Sequence, residues 1–204
     1  ALGDVGALVA AQEKLIAKKR AIKTATMQRL LTGKQRLPGF GEGCGYKQTE
    51  IGVIPEDWQT ARVGDVGIVQ LGRQRAPQHH SGAYMRPYLR VANVFENRID
   101  TTDVLYMNFS PAEFEKYRLF PGDILLNEGQ SRELVGRPAM FEGQLQNACF
   151  QNTLVRFKSG PEIDSHFALQ ILLHCYREGR LAEISRQTTS IAHLGADRFA
   201  KLEI

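Results

Sequence analysis

The chain has 204 residues, 43% hydrophobic and 24% charged, with a formal net charge of +4 and a pI near 9.0. That balance suits one globular domain of roughly 150 to 160 residues plus an extended element. No apolar run approaches the ~18 residues of a membrane span, no signal-peptide pattern is present, and Cys44, Cys149 and Cys175 are too few and too scattered for a disulfide framework or a zinc site, so the chain reads as soluble and cytoplasmic.

The charge is concentrated at one end. Residues 1–36 hold eight Lys/Arg against Asp4 and Glu13, a net of +6, which leaves −2 on the other 168 residues. Within this segment Val5 to Leu31 is free of Pro, has only Gly6, and is rich in Ala, Leu, Lys, Gln and Arg, so it predicts one long helix. Its apolar residues repeat at close to helical period. Leu8, Leu15 and Ile22 lie seven apart on one stripe, with Ile16 and Leu30 beside it. Gly33 stands where a left-handed C-terminal cap belongs. A lone helix cannot bury such a stripe, so it needs a second helix from this chain, another copy or another subunit.

Residues 37–45 contain four glycines and form a linker. Their strict alternation, with no preceding strand, excludes a dinucleotide-binding loop. A globular domain is expected over 46–204, as a mixed α/β fold with a curved sheet and short helices. Strands are expected over 62–71, 88–94, 124–127, 138–141, 153–157 and 201–204. Ser110-Pro111-Ala112-Glu113 is a capping box that opens a short helix through Tyr117. Ile163, Phe167, Ile171 and Cys175, four apart, mark the buried side of a second helix ending before Gly179. The absence of an initiating Met, and an apolar run at Lys201–Ile204 that stops in mid-strand, suggest a piece of a longer protein.

Chemistry-bearing patterns are sparse. His79 and His80 diverge as neighbours, and His166 and His174 lie eight apart with no third ligand, so no metal site is expected. Asp123 and Glu128 flank a short strand, as paired carboxylates do in a metal-dependent nuclease. Gln130 stands where such a site would want Lys, and Asp123 also fits a Pro-Gly-Asp turn. No nucleophile motif and no methyltransferase signature occurs, so no catalytic residue is assigned. Three polar loops remain: 72–80, with Arg73, Gln74 and Arg75; 127–132, with Arg132 and then Arg137; and 186–190, with Gln187, Thr188 and Thr189. Arg pairs bidentately with guanine and Gln or Asn with adenine, so these loops carry the donors of a major-groove reader. Solvated surface loops have the same composition.

Four segments together resemble the specificity subunit of type I restriction-modification systems. They are Ile22 to Leu37, with Met27-Gln28-Arg29-Leu30-Leu31-Thr32-Gly33-Lys34; Lys47 to Trp58, with Thr49-Glu50-Ile51-Gly52-Val53-Ile54-Pro55; Phe120-Pro121-Gly122-Asp123 with the three residues after it; and Thr189-Ser190-Ile191-Ala192-His193-Leu194-Gly195 through Phe199. The resemblance implies part of a conserved spacer helix followed by one target recognition domain that reads half of a bipartite site in double-stranded DNA. It implies modification (methyltransferase) subunits as partners on the helix and a restriction subunit in the larger complex. S-adenosylmethionine, ATP and Mg²⁺ would then belong to those partners, with no cofactor on this chain. Trp58 and Ile54 are expected to pack the start of the domain, and His193 to be a hydrogen-bonded structural residue. The Leu8, Leu15 and Ile22 stripe also motivates a homodimer through antiparallel helices. The readings from other classes are a nuclease using Asp123 and Glu128, and a protein-only adaptor whose long helix docks a partner.

Overall fold

The computed structural model describes residues 2–188 and 190–204, with side chains from Val5 onward. Its contacts divide the chain into two compact units, 1–59 and 60–204.

In the first unit, helix α1 runs Leu2–Leu31. Gly33 ends it at φ +69°, where its amide bonds to the Leu30 carbonyl at 3.1 Å. A Cβ at position 33 would run into the Pro55 ring, so the glycine is required by both conformation and space. Strands β1 (Tyr46–Thr49) and β2 (Gly52–Pro55) form an antiparallel hairpin. The Tyr46 hydroxyl donates to the Gly33 carbonyl at 3.1 Å. Arg36 binds both carboxylate oxygens of Asp57, at 2.8 and 2.7 Å, and its guanidinium lies 5.4 Å from the centre of the Trp58 ring. Trp58 thus stacks on Arg36, just before the linker, while Ile54 is buried. The hairpin groups with the helix end, whereas the sequence assigns it to a domain starting at residue 46.

The second unit is built on a four-stranded antiparallel sheet in the order β10-β8-β12-β3. Its strands are β3 (Gly67–Leu71), β8 (Ile124–Asn127), β10 (Pro138–Met140) and β12 (Leu154–Ser159). Between β3 and β8 come β4 (Met85–Leu89), β5 (Val94–Phe95), β6 (Arg98–Ile99), β7 (Leu105–Asn108) and α2 (Pro111–Tyr117). The short β9 (Gly129–Gln130) follows β8, and β11 (Cys149–Phe150) precedes β12. Helices α3 (Ser165–Arg177) and α4 (Arg180–Glu183), strands β13 (Arg186–Gln187) and β14 (Ala192–His193), and helix α5 (Ala196–Ala200) complete the chain.

Side-chain alternation gives the central sheet two buried faces. Ile124, Leu126, Val155 and Phe157 pack under α3, Leu181 and Phe199, while Leu125, Leu154 and Ala139 pack with Leu89, Phe141 and Phe150 on the other side. Phe157 and Phe199 meet edge-on at 6.5 Å. Each buried aromatic contributes about 1.5 to 3 kcal/mol through removal from water, which fixes the sheet as the platform for its loops.

The fold is the expected mixed α/β arrangement with a long N-terminal helix, and several local details differ from expectation. The first strand begins only at Gly67, because Arg62 and Val63 pair with the chain's end: the Val63 amide donates to the Leu202 carbonyl at 2.9 Å. Lys201–Ile204 is accordingly a turn with a single bridge, Arg62 to Glu203, and no strand. The strand expected over 88–94 is shifted to 85–89. Buried Asn93 folds the chain back after it by accepting from the Arg90 amide and donating to the Asp100 and Asp103 carbonyls. In α3, Phe167 is 50% exposed and the buried residues are Ala168, Leu169, Leu172, Leu173 and Cys175. Ile163 lies before the Asp164 cap and still packs on the core with Ile171 and Cys175, while a strict four-residue step drifts about 40° per turn and carries Phe167 off the buried face. No helix among the described residues is long and apolar enough to cross a membrane.

Candidate nucleic-acid interface

The antiparallel order β10-β8-β12-β3 brings the ends of β3 and β8 and the starts of β10 and β12 to one edge of the molecule. From that edge leave the segments 72–84 and 128–137, and the 186–193 hairpin joins them through β9. The hairpin is sheet-bonded: β13 pairs with β14, and β14 pairs with β9 in the register Ala192 to Gln130 and His193 to Gly129. The segment 151–153 ties the other two together. The Asn152 amide donates to the Arg73 carbonyl at 3.0 Å, and the Glu128 amide donates to the Thr153 carbonyl at 2.8 Å. Three loops distant in sequence therefore share one end of the sheet.

These loops are braced from below. Val135 is fully buried, Gly136 donates its amide to the Asn127 carbonyl at 2.8 Å, and the Tyr176 hydroxyl from α3 donates to the Glu133 carbonyl at 2.8 Å. The tip of the hairpin is closed by Thr188, whose amide and hydroxyl both donate to the Ile191 carbonyl, at 2.9 and 3.1 Å. Rigid backbone beneath exposed polar side chains is what base reading needs, because hydrogen-bond readout loses its discrimination when donors wander.

The sequence candidates separate by environment. Arg73 is only 7% exposed. It binds Glu113 through Nε at 2.8 Å and Nη2 at 2.7 Å, donates to the Asn108 carbonyl, and stacks on Phe109 at 5.0 Å. A guanidinium held in this way has no fork left for a base, so Arg73 is a brace and not a reader. Gln74, Arg75, Arg132, Gln187 and Thr188 are exposed. Arg137 is half-buried, 5.0 Å from the Phe95 ring centre. Thr189 lies outside the described residues. On α1, Leu8, Leu15, Ile16 and Ile22 are exposed and Leu30 is half-buried.

Residues 60–204 hold fourteen arginines and only three lysines. Most of these arginines are occupied within the fold: Arg90 by Asp103, Arg118 by Glu115, Arg156 by Asp123, Arg177 by Glu96, and Arg198 by backbone carbonyls. Among the described residues, Arg75, Arg132 and Arg186 are exposed at the loop end with no ion pair. Arg186 is the addition that the structure makes to the sequence candidates. It faces the same side of its small sheet as His193, its register partner, while Gln187 shares the side of buried Ala192.

The carboxylates read as a nuclease pair are apart. Asp123 and Glu128 lie at opposite ends of β8, five residues along, or roughly 16 Å at strand rise, too far for one ion. Asp123 is 1% exposed, accepts from the Phe120 amide at 3.0 Å and faces Arg156 at 3.4 Å; burial pushes its carboxyl above the usual range. Together with the Asp123 amide bond to the Phe120 carbonyl, this is the turn expected from Phe120-Pro-Gly-Asp. Glu128 lies 3.1 Å from His193 Nδ1. No cluster of three His, Cys, Asp or Glu able to hold a metal occurs among the described residues.

The putative type I restriction enzyme MjaX specificity subunit of Methanocaldococcus jannaschii is 26% identical over 162 residues, covering 78% of this chain and 38% of that protein. The HsdS subunit of Thermoanaerobacter tengcongensis superposes with a TM-score of 0.56 at 16% identity, covering 96% of this chain and 41% of that one. A chain from a solved type I restriction-modification system superposes at 0.52, also at 16% identity, over 97% of this chain and 45% of that one. No protein-family model matches the chain. The curated relative and the shared fold agree with the specificity-subunit resemblance carried by the four sequence segments, and the chain spans about two fifths of the length of these relatives.

Proposed function

We propose that the chain is a DNA-recognition portion of a type I specificity subunit: unit 60–204 reads one half of a bipartite duplex site, and α1 belongs to the spacer that docks the modification subunits. The observation that carries this reading is the convergence of three polar loops at one end of a rigid sheet, with Arg75, Arg132 and Arg186 exposed and unpaired there. Each can offer a planar two-donor fork to guanine or a single donor to a phosphate. Gln74, Gln187 and Thr188 add amide and hydroxyl groups beside them.

Charge supports a reader that does not grip hard. Residues 60–204 carry seventeen Lys/Arg against sixteen Asp/Glu, a net of +1. Eight of those cations are held inside the fold by carboxylates or backbone carbonyls, and the near-neutral balance leaves few phosphates neutralised, so non-specific affinity is weak. Affinity then depends on assembly with modification subunits and, through the complex, a restriction subunit. The chain itself is non-catalytic in this reading. Methyl transfer from S-adenosylmethionine and ATP- and Mg²⁺-dependent cleavage belong to the partners, and the complex works in the cytoplasm.

The exposed stripe of Leu8, Leu15 and Ile22 also suits a second copy of this chain, which would bring two recognition domains together. The same stripe would serve a protein-only adaptor. Titration of a labelled random-sequence duplex at increasing salt, with and without a modification subunit, tests the proposal. Expected are weak binding with a shallow salt slope for the chain alone, tightening with the subunit, and no cutting of plasmid in Mg²⁺. No DNA binding in either condition would select the adaptor, and plasmid cutting by the isolated chain would select the nuclease.

A further inference from the structure

The 128–137 loop and the 186–193 hairpin are joined by more than strand pairing. The Leu194 amide donates to the Glu128 carbonyl at 2.8 Å. In side chains, Glu128 Oε2 lies 3.1 Å from His193 Nδ1, with Glu128 only 16% exposed. The imidazole lies over Gly129, where an added Cβ would stand 3.4 Å from Nδ1 and Cε1, in ordinary van der Waals contact with the ring.

A second device holds the legs of the hairpin. Arg198 in α5 donates through Nε to the Ile184 carbonyl at 2.9 Å and through Nη2 to the His193 carbonyl at 2.6 Å. Ile184 lies just before β13 and His193 ends β14, so one guanidinium spans the base of the hairpin. Gly195 makes this reach available. At φ +72° it turns the chain into α5, and a Cβ there would stand 2.6 Å from Arg198 Nη2.

We propose that Glu128, His193 and Arg198 are positioning residues that lock the 128–137 loop and the 186–193 hairpin into one reading head, so that Arg132 and Arg186 are presented at a fixed separation. The DNA consequence rests on the proposed recognition function; the lock itself does not. Neither Glu128 nor Arg198 has to touch DNA for sequence preference to depend on it. The planar fork of Arg198 reaches the two carbonyls from separate nitrogens, a spacing that the single ammonium of a lysine does not reproduce. An Asn at 193 keeps a donor near the place of Nδ1, and a Gln at 128 keeps an acceptor.

The test measures amide hydrogen exchange on the whole chain without DNA. Glu128→Ala and Arg198→Lys are expected to speed exchange in both segments, 128–137 and 186–193, by about five- to tenfold, the loss of roughly one net hydrogen bond. Glu128→Gln and His193→Asn are expected to restore near-native rates. Acceleration confined to the mutated segment, or no rescue by the conservative pair, would overturn the lock. In parallel, the lock-breaking variants are expected to lose preference for a selected duplex over a random one while affinity for the random duplex stays unchanged. Coupled exchange in a chain that prefers no DNA sequence would uphold the lock and overturn the recognition function.

Discussion

Arg73 and Glu113 are joined by two contacts, Nε to Oε1 at 2.8 Å and Nη2 to Oε1 at 2.7 Å, across forty residues of sequence. The pair pins the root of the 72–80 loop to α2, whose capping box uses the same carboxylate to accept from the Ser110 amide at 2.9 Å. Arg73→Ala is therefore expected to lower stability, without changing which bases are preferred. Breaking a fully buried pair costs about 3 to 5 kcal/mol, and the partial exposure of Glu113 softens this to about 2 to 3 kcal/mol. Urea unfolding of the variant measures it.

Asp123 provides a second stability test. Removing one partner of its buried pair with Arg156 by Asp123→Ala should cost about 3 to 5 kcal/mol. Burial raises the Asp123 carboxyl in the folded state, so its contribution is fully present below the ordinary carboxylate range and is lost as pH rises through the raised folded value. Asp123→Asn lacks that titration. Its stability relative to the parent should thus increase as pH rises above the ordinary carboxylate range in paired denaturant titrations, and a flat difference would contradict the assignment.

Arg75→Ala, Arg132→Ala and Arg186→Ala separate base readers from phosphate contacts. Loss of a bidentate guanine contact should cost about 1 to 3 kcal/mol and relax preference at one position. Loss of a phosphate contact should weaken all sequences alike and reduce the salt slope by about 1. An unchanged affinity in all three would remove the loop end as the interface.

The thiols report on folding. Cys149 is buried and its thiol is pushed up to about 12 by burial, with Cys175 raised for the same reason, whereas Cys44 is exposed. A thiol-reactive chromophore should label Cys44 in the native chain and reach the other two only through unfolding. Native-state labelling of three thiols at one rate would contradict the core described above.

Association through α1 is checked by sedimentation. Leu15→Lys places a charge in the middle of the exposed stripe and should shift a dimer of the parent chain to monomer. A parent chain that is already monomeric at tens of micromolar would end the homodimer proposal.

Local signals in the sequence translated directly into structure. The Ile124–Asn127 strand, the Ser110 capping box and the Gly33 helix end each depend on a few adjacent residues, so they are legible without tertiary context. The reading head was legible only as polar loops. Its strands are two residues long and exist because of pairing between β9 and β14, more than sixty residues apart. Composition cannot separate Arg73 from Arg75, since the difference is made by Glu113. The hydrogen-bonded role expected for His193 needed Glu128 as its partner, sixty-five positions away, to become specific.

DNA recognition by the loop end is tested most directly by selection of bound sequences from a pool of random duplex DNA by the whole chain, with and without a modification subunit. Enrichment of one short half-site is expected, sharper with the subunit and blurred at individual positions by Arg75→Ala, Arg132→Ala or Arg186→Ala. A pool that stays random in both conditions would contradict it.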